Sequence, residues 1–375
     1  MLTWLFAEVN PRPLGLARVI VGAAALIRSV VAWQVLFRLA EPGVMHAPYF
    51  DWIPSPSVPL AIVVIVVWVV SSVLFMVGWK VPVSGTLLFS SIVVTLALDQ
   101  QAYGNHVYLM AWVVLLLTLA GAGSGMNIGR TDRLVVRWPV LLVMAQLSIV
   151  YGFSALTKLN ASFLSGRVLA GTLGTGLVPF PEGLKTPAFL SIMATVAVIV
   201  ELFIAVFIWR PGFRPAAFVF GLGLHAAITL SMFGTLQLLV FSLLMLSIYP
   251  LFLPSERLSV AWDDDCGSCR DWIRRFGRLD VLRLLDPVAK TDPRNPVPAE
   301  LVEESMYLVS ESDTYSGFRA VTGILEHVVP TLWIAPVLRL PGVRGLGERW
   351  YRWQARRRSC PVGTAPAVRR DSTAR

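Results

Sequence analysis

The chain has 375 residues, of which 55% are hydrophobic and only 15% are charged. Soluble domains carry about 25% charged residues, so this composition excludes an ordinary soluble protein and indicates a membrane protein. The formal net charge of +9 does not by itself point to nucleic acid, because basic loops and a basic tail beside a bilayer account for it. We therefore expect the lipid bilayer as a partner, and no nucleic acid.

The first two thirds of the chain hold apolar runs near the ~20 residues that a helix needs to cross a bilayer. Gly and Pro punctuate the gaps between these runs, and acidic residues are rare within them. The sequence predicts about eight spans, near Leu14–Phe37, Val58–Gly78, Val81–Leu98, His106–Leu119, Trp138–Leu156, Ala188–Trp209, Ala216–Phe233 and Leu236–Phe252. The predicted fold class is mainly α, a polytopic transmembrane helical bundle over residues 1–253.

Basic residues are distributed unequally between the two sets of loops that alternate along the predicted spans. One set holds Arg12, Lys80, Arg130, Arg133, Arg137, Arg210, Arg214 and Arg257, whereas the other holds mainly Arg38, Lys158, Arg167 and Lys185. The positive-inside rule then predicts that both termini are cytoplasmic. The expected location is the plasma or inner membrane, with several passes through it.

Four ionisable residues lie at predicted membrane depth, where their cost makes them functional candidates. Counting spans places His106, Lys158 and His225 in the same outer half, so they could share one cavity. Each also has a structural explanation. The Lys158 amine could extend to the headgroups, and a histidine could bond a neighbouring helix. We expect Glu201 to pair with Arg28 inside the bundle.

Three segments, in order along the chain, carry a family resemblance. They are Asn105-His106-Val107-Tyr108-Leu109, the pattern Tyr151-x-x-x-Ala155-x-x-Lys158-Leu159-x-x-x-Phe163-x-x-Gly166, and His225. The region Leu14 to Leu253 resembles the HTTM domain, the membrane domain shared with vitamin K-dependent γ-glutamyl carboxylase. The large lumenal region that follows the spans in that carboxylase has no counterpart here, which puts glutamate carboxylation in doubt.

The resemblance implies a quinone cofactor, either menaquinone or a related naphthoquinone. It implies that Lys158 is the weak base that deprotonates the reduced ring, and that His106 assists in the same pocket. A lysine buried among apolar neighbours loses hydration, which favours the neutral amine that can accept a proton. The residues expected to bind the quinone are Asn105, Tyr108, Tyr151 and His225.

Charges become dense after Leu253 and the long apolar runs stop, so residues 254–375 form a second predicted domain with a basic tail. The predicted strands are Ser259–Trp262, Val281–Leu285 and Ser305–Val309, and the predicted helices are Cys269–Leu279 and Tyr315–Val328. This alternation predicts a small α/β domain that is thioredoxin-like.

Two of the three cysteines, Cys266 and Cys269, lie at the start of the first predicted helix of this domain. The helix dipole and the free N–H groups there favour a thiolate. A redox pair is one interpretation, in which Cys266 attacks and Cys269 resolves, with a redox-active Cys266–Cys269 disulfide. A zinc site is the alternative, less favoured because zinc needs four ligands and only His327 and Cys360 remain to complete it. We predict no metal.

The segment Trp262-Asp263-Asp264-Asp265-Cys266-Gly267-Ser268-Cys269 resembles the start of the DCC thiol–disulfide oxidoreductase family. The basic segment from Tyr351 to Arg358 and the trailing Cys360 also resemble that family. The sequence departs from the family pattern in two places, since Asp264 replaces a glycine and Ser268 replaces an aromatic residue.

Charged neighbours should tune the Cys266 thiol. Arg270 is expected to stabilise the thiolate, whereas Asp263 and Asp265 should raise the thiol pKa. Asp265 could instead cap the helix or accept a proton.

The leading functional hypothesis is an integral membrane, quinone-linked thiol–disulfide oxidoreductase. Its further partner would be a protein or small molecule that carries a thiol or a disulfide. One alternative is a quinone-dependent modifying enzyme of the carboxylase type. The other is a non-enzymatic scaffold or immunity protein, in which the polar residues only pack helices.

Overall fold

The computed structural model describes residues 2–50, 52–53, 55–128, 132–232, 234–253, 257–310 and 313–357. The chain divides into two compact units, Met1–Ser255 and Glu256–Arg375, called here the membrane unit and the redox unit.

In its described residues the membrane unit is mainly helical, with two short antiparallel strands, β1 (Glu8–Val9) and β2 (Val135–Val136). Its helices are α1 (Arg12–Leu39), α2 (Val58–Val77), α3 (Val81–Leu98), α4 (Asn105–Leu119), α5 (Arg137–Lys158), α6 (Ala161–Leu164), α7 (Arg167–Thr172), α8 (Pro187–Phe207), α9 (Arg214–Ser231) and α10 (Thr235–Leu246). Among the described residues, five helices are long and apolar enough to cross a membrane, namely α1, α2, α3, α5 and α8. The fold class is confirmed, whereas the number of about eight spans is not.

Close packing between the first helices depends on small residues. A side chain at Gly22 of α1 would place its Cβ 2.7 Å from the Cβ of Met76 in α2. Glycine at such a position lets two helix backbones approach closely, which is how apolar helices associate without a hydrophobic driving force in lipid. The chain then reverses at Gly78, whose φ of 82° lies in the left-handed region that glycine adopts at no steric cost.

A fully buried arginine ties several of these helices together. Arg18 of α1 donates hydrogen bonds to backbone carbonyls at the end of α2 and after α4, which belong to Phe75, Met76, Ala122, Gly125 and Met126. The start of α1 therefore lies beside the ends of α2 and α4, as alternating helix directions require. Helix ends leave their last carbonyls without helical partners, and the guanidinium satisfies several at once.

The redox unit is an α/β domain around one four-stranded sheet. Its strands are β3 (Leu258–Trp262), β4 (Leu285–Ala289), β5 (Tyr307–Val309) and β6 (Thr314–Ser316), and its helices are α11 (Gly267–Leu279), α12 (Ala299–Glu304), α13 (Gly317–His327), α14 (Ala335–Leu338) and α15 (Pro341–Arg356). The sheet order is β4-β3-β5-β6, with β3 parallel to β4 and the other pairs antiparallel. Along the chain, a βαβ crossover (β3, α11, β4) precedes the β5–β6 hairpin and α13. This arrangement confirms the predicted small α/β domain.

The second strand was predicted four residues too early. The prediction placed it at Val281–Leu285, but β4 begins at Leu285. Asp280 accepts hydrogen bonds from the backbone N–H groups of Leu284 and Leu285, at 2.9 and 2.8 Å, and Arg283 has a φ of 52°. These contacts hold the apolar run as a turn, although Leu282 and Leu284 are buried. Burial without a strand explains the error.

Candidate functional site

Cys266 occupies the N-cap of α11, the position from which a residue lies closest to the free N–H groups of the first turn. The chain leaves β3 at Trp262, crosses the three aspartates Asp263–Asp265 and reaches Cys266 with a φ of −93° and a ψ of 113°. Cys269 follows within the first turn of the helix. The strand, turn and helix thus bring both sulfurs to the N-terminal end of α11, where the helix dipole favours negative charge.

The two cysteines differ in state. Cys266 is disulfide-bonded, whereas Cys269 has a buried thiol. Both side chains are nearly inaccessible, since Cys266 is 1% exposed and Cys269 is 3% exposed. The redox couple of Cys266 and Cys269 stays a prediction. Cys360 lies outside the described residues.

A small cavity lies beside the Cys269 side chain. Its volume is about 30 Å³, and its walls include Trp272, Trp350 and Tyr351. A cavity of this size can hold water but not a substrate, because one water needs roughly 10–15 Å³ of such volume. Any larger partner must therefore reach the sulfurs after a local rearrangement.

A partly buried lysine, Lys290, holds the turn that precedes Cys266. The amine of Lys290 lies 3.0 Å from Asp263 Oδ1, 2.9 Å from Asp265 Oδ2 and 2.9 Å from Glu303 Oε1. Burial opposes the charged amine, but the hydrogen bonds to Asp265, Glu303 and Asp263 outweigh it and raise the Lys290 pKa. One cation thus balances part of a cluster of three carboxylates next to the sulfur.

Topology explains how Lys290 reaches this place. It follows directly after β4, and its N–H donates to the carbonyl of Trp262 at 2.9 Å, at the end of the neighbouring parallel strand. Parallel strands end at the same edge of a sheet, so the residue after β4 meets the turn after β3. The sequence analysis missed Lys290 and Glu303, and no local motif marks either of them.

Arg270 contacts the backbone of the turn. Its Nη2 donates to the carbonyl of Asp264 at 2.8 Å, so the contact that the structure shows helps to hold the turn. Asp265 is not the N-cap of α11, because Cys266 occupies that position, and the Cys266 side chain makes no capping hydrogen bond. The Asp265 carboxylate lies instead on Lys290. The Asp264 carboxylate accepts a hydrogen bond from the Thr291 hydroxyl at 2.7 Å. Burial raises the pKa of Asp264, but this hydrogen bond and others outweigh burial, so the pKa is lowered overall.

Lys158 in the membrane unit is paired with a carboxylate. Its amine lies 2.5 Å from Glu201 Oε1 and 2.7 Å from the hydroxyl of Ser154, one helical turn earlier in α5. Ser154 also donates to Glu201 Oε1 at 3.1 Å. The predicted pair of Glu201 with Arg28 is therefore wrong. The other carboxylate oxygen, Oε2, is buried without a hydrogen-bond partner among the described residues.

The Lys158 amine lies far from the first residue of α8, although its side chain is 28% exposed. Glu201 is fourteen residues from the first residue of α8, or about 21 Å along the axis at 1.5 Å per residue. A second contact shows that α5 and α8 run antiparallel. Trp209 Nε1, just after α8, donates to the hydroxyl of Ser148, which lies earlier in α5 than Lys158, at 2.7 Å. Glu201 thus holds the Lys158 amine, which does not extend to the first residue of α8, Pro187.

The two histidines belong to different hydrogen-bonded groups. Arg28 Nε donates to His106 Nε2 at 3.2 Å, and Arg28 Nη1 is buried without a hydrogen-bond partner in the described part of the chain. His225 lies 2.8 Å from the Tyr151 hydroxyl, and the chain of contacts continues on both sides. Its members are Tyr249, Tyr151, His225, Ser242 and Thr229, at successive distances of 2.9, 2.8, 3.1 and 2.8 Å.

Asn105 and Tyr108, the remaining predicted quinone ligands, lie near a groove between α3 and α4. Tyr108 lines the groove, and Asn105 accepts a hydrogen bond at 3.0 Å from Tyr103, another lining residue. The groove has a volume of about 310 Å³, and its aromatic walls are Tyr49, Phe89, Tyr103, Tyr108 and Trp112. Its size and apolar lining fit a flat ring. No hydrogen bond between described residues links this group to Tyr151 or His225.

Comparison with known proteins assigns both units to families. Residues 6–256 match the HTTM domain, and residues 260–361 match the DCC1-like thiol-disulfide oxidoreductase. No curated protein and no solved structure matches the chain. Both predicted resemblances are confirmed. Together with the apolar helices, the two matches support a multi-pass membrane protein with a thiol–disulfide oxidoreductase domain.

Proposed function

Because this chain belongs to the HTTM domain family and ends in a DCC1-like thiol-disulfide oxidoreductase domain, we propose that it is a quinone-linked thiol–disulfide oxidoreductase of the membrane. The observation that carries the proposal is the position of Cys266 at the N-cap of α11, with the Lys290 cation holding the turn before it. The helix N-terminus favours a thiolate, the form that exchanges disulfides, and the Lys290 cation offsets part of the opposing negative charge of Asp263 and Asp265.

The exchange follows from the order of the two sulfurs. In the reduced protein, the Cys266 thiolate attacks one sulfur of a substrate disulfide, which forms a mixed disulfide and releases one substrate thiolate. The Cys269 thiolate then attacks the Cys266 sulfur, which closes the Cys266–Cys269 bond and releases the second thiolate. Two electrons pass to the substrate, and two protons from the medium complete its thiols. Reduced thiols of the substrate reverse the sequence.

The membrane unit offers the residues for a quinone. The ring would lie in the aromatic groove beside Asn105 and Tyr108. A bound hydroquinone would supply two electrons to the disulfide and release two protons. The Lys158–Glu201 pair belongs to α5 and α8 and does not line the groove, and the orphaned Oε2 of Glu201 supports a role in taking up a released proton. In this proposal the proton acceptor is the Lys158–Glu201 pair, in place of Lys158 acting alone as the base. His106 would be held in position by Arg28.

Thiol trapping tests the exchange. We expect the full-length protein to reduce a peptide disulfide after treatment with a reductant, and Cys266→Ser to reduce it only at the uncatalysed rate. Cys269→Ser should accumulate the mixed disulfide, since nothing resolves it. Ser268→Ala is the matched control because it leaves both sulfurs in the same turn, and it should keep the activity. Full activity in Cys266→Ser would overturn the proposal.

Quinone binding has a readout that does not depend on turnover. Solvent extraction of the purified full-length protein should yield a naphthoquinone or a benzoquinone. Tyr108→Ala combined with Trp112→Ala should lower the quinone content, whereas Trp138→Ala, an exposed aromatic of α5, should not. An extract without quinone, from protein that still exchanges disulfides, would remove the quinone link and leave the exchange function in place.

The charge asymmetry of the loops supports the proposed orientation, with both termini in the cytoplasm. A reporter enzyme that works only in the periplasm or only in the cytoplasm, fused after Arg375, tests it. Activity of the periplasmic reporter would reverse the assignment.

A further inference from the structure

The last described helix of the redox unit has two faces of opposite character. One face of α15 is seated on the domain, since a Cβ at Gly347 would meet the Phe318 ring and the hydroxyl of Tyr351 accepts the N–H of Met306 at 3.1 Å. A second face, beside the seated one, carries three large apolar side chains, because Leu346 is 65% exposed, Trp350 is 45% exposed and Trp353 is 47% exposed. The spacing of four and three residues aligns them in one stripe.

Arginines run directly beside this apolar stripe. Arg349, Arg352 and Arg356 follow the same helical spacing on an adjacent line, and all three are exposed. The guanidinium of Arg357 lies over the ring of Trp353, with its Cζ 4.1 Å from the ring centroid. The described segment from Ile334 to Arg357 contains six arginines and one acidic residue, Glu348.

The apolar surface continues onto the preceding helix. Ile334 directly before α14 is 60% exposed, Val337 within α14 is 46% exposed, and Leu340 directly before α15 is 55% exposed. Exposed apolar residues that occur singly need no explanation, but six large ones along two successive helices indicate a covered surface.

We propose that the exposed face of α14 and α15 lies on the headgroups of anionic phospholipids. Tryptophan and leucine in one stripe, with arginines flanking it, are the features of a helix that lies in the plane of the bilayer interface. The exposed arginines of α15 select anionic headgroups, since basic residues are attracted to a negative surface and zwitterionic lipid provides none. This inference does not depend on the proposed exchange reaction.

Lipid photocrosslinking in the full-length protein tests the proposal. The protein is reconstituted in nanodiscs of phosphatidylcholine, with or without phosphatidylglycerol, and each disc contains a trace of a photoactivatable phospholipid. Peptide mapping by mass spectrometry then locates the crosslinks. We expect crosslinks within residues 343–357, with a yield that rises several-fold when phosphatidylglycerol is present and falls at high salt.

Two double variants separate the apolar and the basic contributions. Leu346→Gln with Trp353→Gln removes the apolar stripe, and Arg349→Gln with Arg352→Gln removes two flanking charges. Each should lower the crosslink yield of this segment several-fold. The matched control, Arg274→Gln with Arg278→Gln, removes two exposed charges from α11 and should leave the yield unchanged. Trp350 is left intact because it lines the cavity beside Cys269.

Retained thiol–disulfide exchange or an unchanged melting temperature in each variant shows that the domain still folds. Equal crosslinking with and without phosphatidylglycerol would overturn the proposal. So would crosslinks that join this segment to a second copy of the chain in place of lipid.

Discussion

The two units hold their buried and partly buried cations in different ways. In the membrane unit, Arg18 is bound by backbone carbonyls and Lys158 by a single carboxylate. In the redox unit, Lys290 is shared by three carboxylates beside the reactive turn. Apolar helices carry few acidic residues, so their cations bind backbone carbonyls at helix ends, as Arg18 does, or a single carboxylate, as Lys158 does. The redox unit can gather a surplus of negative charge because its cluster lies at a sheet edge near water.

The largest effect is expected at Arg18, whose side chain is fully buried. Arg18→Met removes the donor shared by carbonyls at the ends of α2 and α4, and leaves those oxygens buried without partners. We expect a loss of about 5 kcal/mol in unfolding free energy, at the upper end for one substitution. Denaturant titration in micelles measures it. Arg38→Met, at the last turn of α1, is the control for loss of one arginine. Equal stability of the two variants would show that the carbonyl contacts contribute nothing.

The ion pair of α5 and α8 should give the next largest effect. Glu201→Ala leaves the Lys158 amine without its carboxylate, which should cost about 3–4 kcal/mol because an unpaired charge remains in an apolar region. The double variant Lys158→Met, Glu201→Met removes both charges and should recover most of this stability. If the double variant is stable but no longer oxidises a hydroquinone, the pair has a chemical role. If it retains that activity, the pair only packs helices.

In the redox unit, Lys290→Met should have a smaller effect on stability but a direct effect on the cysteines. We expect a loss of about 2 kcal/mol, because the nearly buried Asp263 loses its cation while Asp265 can turn to water. The pKa of the Cys266 thiol should rise, since Asp263 and Asp265 then act on it without compensation.

The pH dependence of alkylation, after reduction, measures that thiol pKa. Arg294→Met is the matched control, because Arg294 is exposed and pairs with Asp292 at 2.8 Å away from the sulfurs. An unchanged alkylation profile in Lys290→Met would mean that the lysine does not tune the thiol.

The smallest effect concerns pH and His327. Burial lowers the pKa of His327 from 6.5, although the hydrogen bond of its ring to the Gly323 carbonyl opposes that change. The folded protein therefore binds this proton less tightly than the unfolded chain does. The stabilising contribution is complete above pH 6.5 and is lost as the pH falls toward the folded-state pKa. His327→Gln should reduce the fall in melting temperature of the redox unit between neutral and mildly acidic pH. An identical fall in both proteins would contradict the assignment.

Local patterns predicted some elements well and others poorly. The predicted helix starting at Cys269 agrees with α11, which begins two residues earlier, and the predicted strand Ser259–Trp262 agrees with β3. The strand at Val281–Leu285 was misplaced because burial of Leu282 and Leu284 produces an apolar run without strand pairing. The number of spans could not be fixed because short apolar helices, such as α4, resemble both a span and a buried core helix.

The sequence by itself determined the two-part organisation, the membrane character of the first part and the position of a Cys-x-x-Cys pair at a helix start. These depend on composition and on residues close together in the chain, where helix and strand periodicity act. Only the tertiary structure decided the partners: Glu201 for Lys158, Arg28 for His106, and Lys290 for Asp263 and Asp265. A charge pairs with whichever opposite group the packing brings within a few ångströms, and nothing in the local sequence encodes that distance.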